Sequence, residues 1–283
     1  MSPALYLAAG VVFVVGIAAL DRLAVRIVRP SRRLPQRSIA ELGIDHDELT
    51  IPSDGRTLAA WLLHADPPPP ARPLVVMAHG WGASHGTVLE LARPLLAQGH
   101  DALLFDVRGH GRNEVERYVT VRHFRDDVIA VVRYADERFP GRKVVLLGHS
   151  LGGAAGVLAA AEGAPIDGLV LIAAPSNVLE VTAEFLTDLG LPGGLLVRIL
   201  RPFWWPKIGG TFLPLTPSRR IRELKIPILM LQPEHDQRVH RRHAERLAAA
   251  AGLEYHLIRG REHTDVLTAP ETLRYVEEFV ERV

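Results

Sequence analysis

One serine in this chain sits in a setting suited to nucleophilic chemistry. Val144 to Gly156 reads VVLLGHSLGGAAG, so Ser150 has Gly148 and Gly152 two residues to either side. An apolar, β-branched run feeds into Gly148, and a small-residue helical pattern, GGAAGVLAAA, follows at once. That order describes a sharp strand-to-helix turn with a hydroxyl at its apex. The backbone of such a turn is strained, and side chains two positions away would collide, which glycine avoids. The helix that follows would aim its free N–H groups at the reacting atom. A second stretch, Gly82-Ala83-Ser84-His85-Gly86, has the same spelling. Its strand pattern ends near Ala78, with His79, Gly80, Trp81 and Gly82 in between, so Ser84 is expected inside a loop. Ser150 is therefore the candidate nucleophile.

The elements that would carry Ser150 can be read from the rest of the chain. Of the 283 residues, 48% are hydrophobic and 23% charged, enough for one sizeable core. A formal net charge of +1 gives no sign of a nucleic-acid surface. With no cysteine, disulfides, thiolate metal sites and a cysteine nucleophile are excluded. Two short runs, Asp47 to Ile51 and Thr57 to His64, flank PSDG and predict a hairpin. PLVVMAHG, DALLFDV, KVVLLGHS, DGLVLIAAP, IPILMLQ and LEYHLIRG then predict six further strands, most of them separated by helical patterns. This alternation predicts an α/β protein: an eight-stranded, mostly parallel sheet with helices on both faces. DPPPP at residues 66–70 predicts a surface loop. The connection from Ser176 to Lys225 is too long for a simple crossover, and with Phe203, Trp204 and Trp205 it predicts a helical lid over residues 176–225 that contacts substrate.

The N-terminus stands apart. No charge occurs from Pro3 to Leu20, and Arg22, Arg26, Arg29, Arg32, Arg33 and Arg37 follow. A single-pass anchor over residues 1–29 is expected, with residues 30–44 as a linker and a cytoplasmic domain over 45–283. A secretory signal is the rival reading. It lacks a basic front end, although Gly16-Ile17-Ala18 would pass as a cleavage site. A buried hairpin helix is the third reading.

GHSLGG after the fifth strand, HGWG after the third and RGHG after the fourth resemble the α/β-hydrolase superfamily. The likeness is greatest to bacterial serine hydrolases and lysophospholipase-like esterases with an N-terminal membrane helix, and it covers about residues 45–283. The resemblance implies a Ser-Asp-His triad in that chain order. After the penultimate strand, PEHDQRV offers Asp236, with Val239 three residues on, and Glu234 as the weaker alternative; Pro233 replaces the usual glycine. After the last strand, Gly260-x-x-His263 supplies the base. The resemblance also implies an oxyanion hole from the backbone N–H groups of Leu151 and Trp81, with Gly80 and Gly82 allowing close approach. His79 is expected to hold that loop without taking part in the chemistry. Asp106 and Arg108 are expected to tie loops together, and Asn113 stands where the family usually has serine.

Several other readings are weaker. GWGASHG lacks the third glycine of a dinucleotide fingerprint, since His85 occupies it. His256 falls within a strand and is expected to be half-buried. His240 and His243 begin an Arg-rich helix and are expected on a solvated face; with His235 they could suggest a metal site, but no second cluster supports one, and no metal or cofactor is expected. The expectation is a membrane-anchored serine hydrolase of hydrophobic or lipid-like carboxylic esters. Acyl transfer, peptidase action and a non-catalytic binding role are the alternatives, and oligomeric state is left open.

Overall fold

The computed structural model describes residues 3–66 and 72–283. Pro67 to Pro70 of the expected proline loop lie outside the described residues. Chain order runs α1 (Pro3–Ile27), β1 (His46–Ser53), β2 (Arg56–Leu63), β3 (Leu74–Ala78), α2 (His85–Ala97), β4 (Ala102–Phe105) and α3 (Val121–Arg138). It continues with β5 (Val144–His149), α4 (Leu151–Ala161), β6 (Gly168–Ile172), α5 (Val178–Asp188), α6 (Gly193–Trp204) and α7 (Pro217–Arg220). The last elements are β7 (Ile228–Pro233), α8 (Arg242–Ala251), β8 (His256–Ile258) and α9 (Pro270–Arg282). Among the described residues, eight strands form one sheet in the order β1-β2-β4-β3-β5-β6-β7-β8. The β1–β2 hairpin and the β2–β4 pair are antiparallel, and all other pairs are parallel.

The central strands read as continuous apolar runs because both faces of the sheet are covered. Val76, Leu146 and Leu171 point to the face packed by α3, α4 and α8. Their neighbours Met77, Leu147 and Ile172 point to the opposite face, under α2 and α9. Gly152 lets α4 lie against the end of β3: an added Cβ would stand 2.4 Å from the Ala78 carbonyl oxygen and 2.6 Å from that of His79.

Two segments differ from the sequence expectation. Residues 30–44 do not behave as a free linker but form a strap across the loops after β3 and β4. Arg32 Nε donates to the Gly111 carbonyl at 2.7 Å, and Ile39 is buried in the core. The aromatic cluster of the insertion also divides. Trp204 is 3% exposed, and its indole Nε1 donates to the Ala24 carbonyl at 2.9 Å. It packs with Leu200 and Val197 against α1, so it docks that helix and offers substrate no free surface. Phe203 is partly buried at the same contact, while Trp205 is exposed.

Three histidines near the carboxyl ends of the strands are buried: His79, His110 and His149. Desolvation pushes the pKa of all three down, to about 3 for His110 and about 3 for His149. They are neutral when folded and take up protons on unfolding. Their contribution is thus complete above the unfolded value of about 6.5 and declines as pH falls below it, by about 1.4 kcal/mol per pH unit for each histidine that stays neutral in the fold. Thermal unfolding between pH 7.5 and 5 should show this slope, and His110→Phe should reduce it by one proton's worth; an unchanged slope would contradict the assignment. Gly152→Ala should lower Tm by about 4–8 °C through overpacking against fixed backbone. Gly194→Ala, with open space around its Cβ, serves as the neutral comparison.

Candidate active site

The turn between β5 and α4 places Ser150 at φ 54°, ψ −122°, in the left-handed half of backbone space. A non-glycine residue there is strained and must be held by its surroundings. The Ser150 N–H donates to Ile172 at 2.8 Å, and the Ser150 carbonyl accepts from Gly153 at 3.0 Å. Gly148 is required by proximity, since an added Cβ would lie 2.5 Å from Gly153 Cα. Ser84 sits elsewhere, buried at the start of α2 with an extended backbone.

Gly80 reaches the same point from β3. Its position allows no side chain: an added Cβ would stand 2.9 Å from Ser150 Cβ. The Gly80 carbonyl accepts from His79 Nδ1 at 2.8 Å and from the Ala83 N–H at 3.3 Å. His79 Nε2 in turn accepts from the Val107 N–H at 3.0 Å, which fixes the tautomer. These bonds lock the Gly80–Trp81 peptide plane, and the Trp81 N–H points opposite to its held carbonyl. Among the described residues, neither the Trp81 nor the Leu151 N–H has a protein acceptor. The Trp81 ring is 37% exposed and stacks on Phe124 at 6.3 Å.

The loops after β7 and β8 bring the third and fourth groups together. His263 Nδ1 donates to Asp236 Oδ2 at 2.8 Å. Asp236 Oδ1 accepts the N–H groups of Arg238 and Val239, each at 2.8 Å. The carboxylate is thereby oriented from both sides, despite Pro233 in place of glycine. Glu234 turns away to accept the Gly260 N–H at 2.8 Å. His149 links His263 to the Ser150 turn: its Nε2 donates to the His263 carbonyl at 2.8 Å, and the two rings lie 4.7 Å apart. No Ser150–His263 side-chain hydrogen bond occurs among the described residues; such bonds commonly tighten only when substrate is present.

Several supporting residues carry weaker sequence signals. Asp106 Oδ1 accepts the His85 N–H at 2.7 Å and Oδ2 the Arg112 N–H at 2.8 Å, so it pins the start of α2 to the loop after β4. Asn113 closes that loop by accepting the Ala59 N–H at 2.8 Å. Arg108 Nε donates to the buried Asp127 at 2.9 Å. Asp127 could have been noticed as an acid in core register with Phe124 and Val131 on α3. His243 departs from expectation, because it is fully buried rather than solvated. Glu184 of α5 folds over it and accepts from Nε2 at 3.1 Å, while the Ser176 N–H donates to Nδ1 at 3.2 Å. Glu180, Glu184 and His243 lie close enough together to suggest a metal cluster. Arg246 and Arg242 already neutralise the two acids, and His243 Nε2 carries the proton, so the donor set reads as an ion-pair latch.

Residues 69–198 match the family described as serine aminopeptidase, S33. The human monoglyceride lipase is 38% identical over 135 residues, which is 46% of this chain and 42% of that protein. The chain thus spans less than half the length of that curated relative. Among solved structures, an esterase of Pyrococcus furiosus superposes with TM-score 0.68 at 20% identity, covering 89% of this chain and 98% of the other. The proline iminopeptidase of Mycobacterium smegmatis superposes with TM-score 0.63 at 16% identity, covering 83% and 98%. With its sheet order, its strained serine turn after β5 and these likenesses, the chain is an α/β-hydrolase in fold.

Proposed function

We propose that this chain is a serine hydrolase that cleaves carboxylic esters through an acyl-enzyme. The observation that carries the reading is the strained Ser150 turn, joined through His149 to a buried Asp236–His263 pair. Ser150 Oγ attacks the ester carbonyl carbon, and its proton passes to His263 Nε2. Asp236 holds the imidazole in the tautomer that leaves Nε2 free and stabilises the imidazolium. The carbonyl oxygen gains negative charge and is received by the Trp81 and Leu151 N–H groups. As the C–O bond breaks, the leaving alkoxide takes the proton back from His263. Water then attacks the acyl carbon, giving its proton to His263, and the carboxylic acid leaves with Ser150 restored.

A hydrophobic or lipid-like acyl group fits two features. Monoglyceride lipase is among the relatives. The insertion, read as a lid, exposes Phe185, Leu189, Leu195, Ile199 and Trp205. Helix α1 supports a membrane location: Tyr6–Ile27 is 22 residues long and apolar enough to cross a bilayer, and its first half is almost wholly exposed. With the arginines on its C-terminal side, it is read as an anchor that leaves the folded domain in the cytoplasm. The serine aminopeptidase match favours peptidase action as the second reading.

A fluorophosphonate probe applied to the full chain should label Ser150, and Ser150→Ala should lose both labelling and p-nitrophenyl ester hydrolysis by about four to six orders of magnitude. Retained turnover in Ser150→Ala would refute the proposal. Asp236→Asn keeps an oxygen for the Arg238 and Val239 N–H groups yet can favour the wrong imidazole tautomer; kcat should fall by about 10³–10⁴ with the fold intact. Esters of graded acyl length should be hydrolysed faster as the chain grows, and faster than matched amides; the reverse order on amides would establish the peptidase reading.

A further inference from the structure

The residues that follow the apolar half of α1 build a basic cavity that the ester chemistry does not use. Arg22 and Arg26 are one turn apart on α1, and Arg29 follows two residues after the helix ends at Ile27. Arg117, from the loop between β4 and α3, lines the same cavity of about 800 Å³ and lies 3.8 Å from Asp21. Val25 and Val115 give that cavity an apolar wall. Among the described residues, Arg22, Arg26 and Arg29 have no acidic partner, and the one acid in the lining, Glu116, is paired with Arg56 at 2.5 Å. In a chain of net charge +1, this is a marked local concentration of positive charge.

The backbone that frames the cavity is held in place, while the side chains of Arg22, Arg26, Arg29 and Arg117 are exposed. Backbone pairing of Val119 with Val28 at 2.8 Å fixes the loop against the helix end. Lys207 Nζ binds Asp21 at 2.6 Å, and Trp204 holds Ala24, so the insertion grips α1 just before the arginines. The cavity also adjoins the catalytic loop. Ser31 lines it, and the Ser31 hydroxyl lies 3.0 Å from where a Cβ on Gly82 would stand, next to Trp81.

We propose that this cavity binds the phosphate of an anionic phospholipid. Clustered guanidinium groups suit phosphate oxygens because they donate in a planar fork. A lipid is favoured over a free phosphate by position and by the valine wall. Residues 3–20 of α1 rise about 27 Å, close to the hydrocarbon thickness of a bilayer, which sets Arg22 to Arg29 at headgroup depth. The wall then receives the glycerol end of the lipid. Bound there, the lipid fixes the height of the Ser150 entrance above the bilayer. The lipid assignment rests on reading α1 as an anchor.

Native mass spectrometry of the full chain released from a neutral detergent tests this with dioleoyl phosphatidylglycerol and dioleoyl phosphatidylcholine. The wild type should retain one phosphatidylglycerol in preference to phosphatidylcholine. R22Q/R26Q/R29Q should weaken that retention about 100-fold. R133Q/R222Q/R259Q, which removes three other exposed arginines, should leave it unchanged. Equal loss in both triple variants, or equal retention of the two lipids, would overturn the proposal. Inorganic phosphate binding as strongly as the lipid, with the same arginine dependence, would overturn the lipid assignment. Fluorophosphonate labelling of the same samples separates the two readings: arginine-dependent retention without labelling of Ser150 would refute the hydrolase and leave the lipid site standing.

Discussion

The positive φ of Ser150 is the constraint on which this structure turns. An L-residue at 54° is costly in isolation, about 1–3 kcal/mol, so the surroundings must over-determine it. They do so with an N–H bond to β6 and with backbone packed where side chains would otherwise be. Gly80, Gly148, Gly152 and Gly153 all owe their identity to this crowding rather than to flexibility. At Gly152 the nearest obstacles are the carbonyls at the end of β3, so the Ser150 turn and the Gly80–Trp81 loop are packed as one piece.

Around that piece, buried polar groups do what apolar packing cannot: they fix direction. His79 holds the Gly80 carbonyl, Asp106 holds the starts of two loops, and Asp236 is itself held by two backbone N–H groups before it meets His263. Each is an interaction whose loss would leave a polar group stranded away from water, which costs more than the bond contributes. The outer layer is different in kind. The insertion joins the core through a Glu184–His243 latch and joins α1 through Trp204, so helix, insertion and core are mechanically continuous.

The sequence was most legible where local chemistry and global fold agree. The eight strands follow from apolar runs bounded by turn signals, and Ser150 from a motif whose glycines each have a steric reason. Asp236 and His263 could be placed only through chain order in a resembling family, because nothing local distinguishes them from Glu234 or His256. The misses came from contacts distant in sequence. Trp204 reads as a substrate contact from its aromatic neighbours, but α1, some 180 positions earlier, covers it. His243 looked solvated because its neighbours are arginines; the acid that buries it belongs to α5. Residues 30–44 read as a linker from their proline content, yet that content lets them lie as an extended strap.

The central claim is that one hydroxyl, one imidazole and two backbone N–H groups converge on a single reacting carbon. The most direct measurement is a crystal structure of the full chain inactivated by a phosphonate ester. The account predicts phosphorus bonded to Ser150 Oγ, its oxygen about 2.7–3.1 Å from the N–H groups of Trp81 and Leu151, and His263 Nε2 within hydrogen-bond reach. Phosphorus attached to Ser84, or an oxygen turned away from both N–H groups, would contradict it.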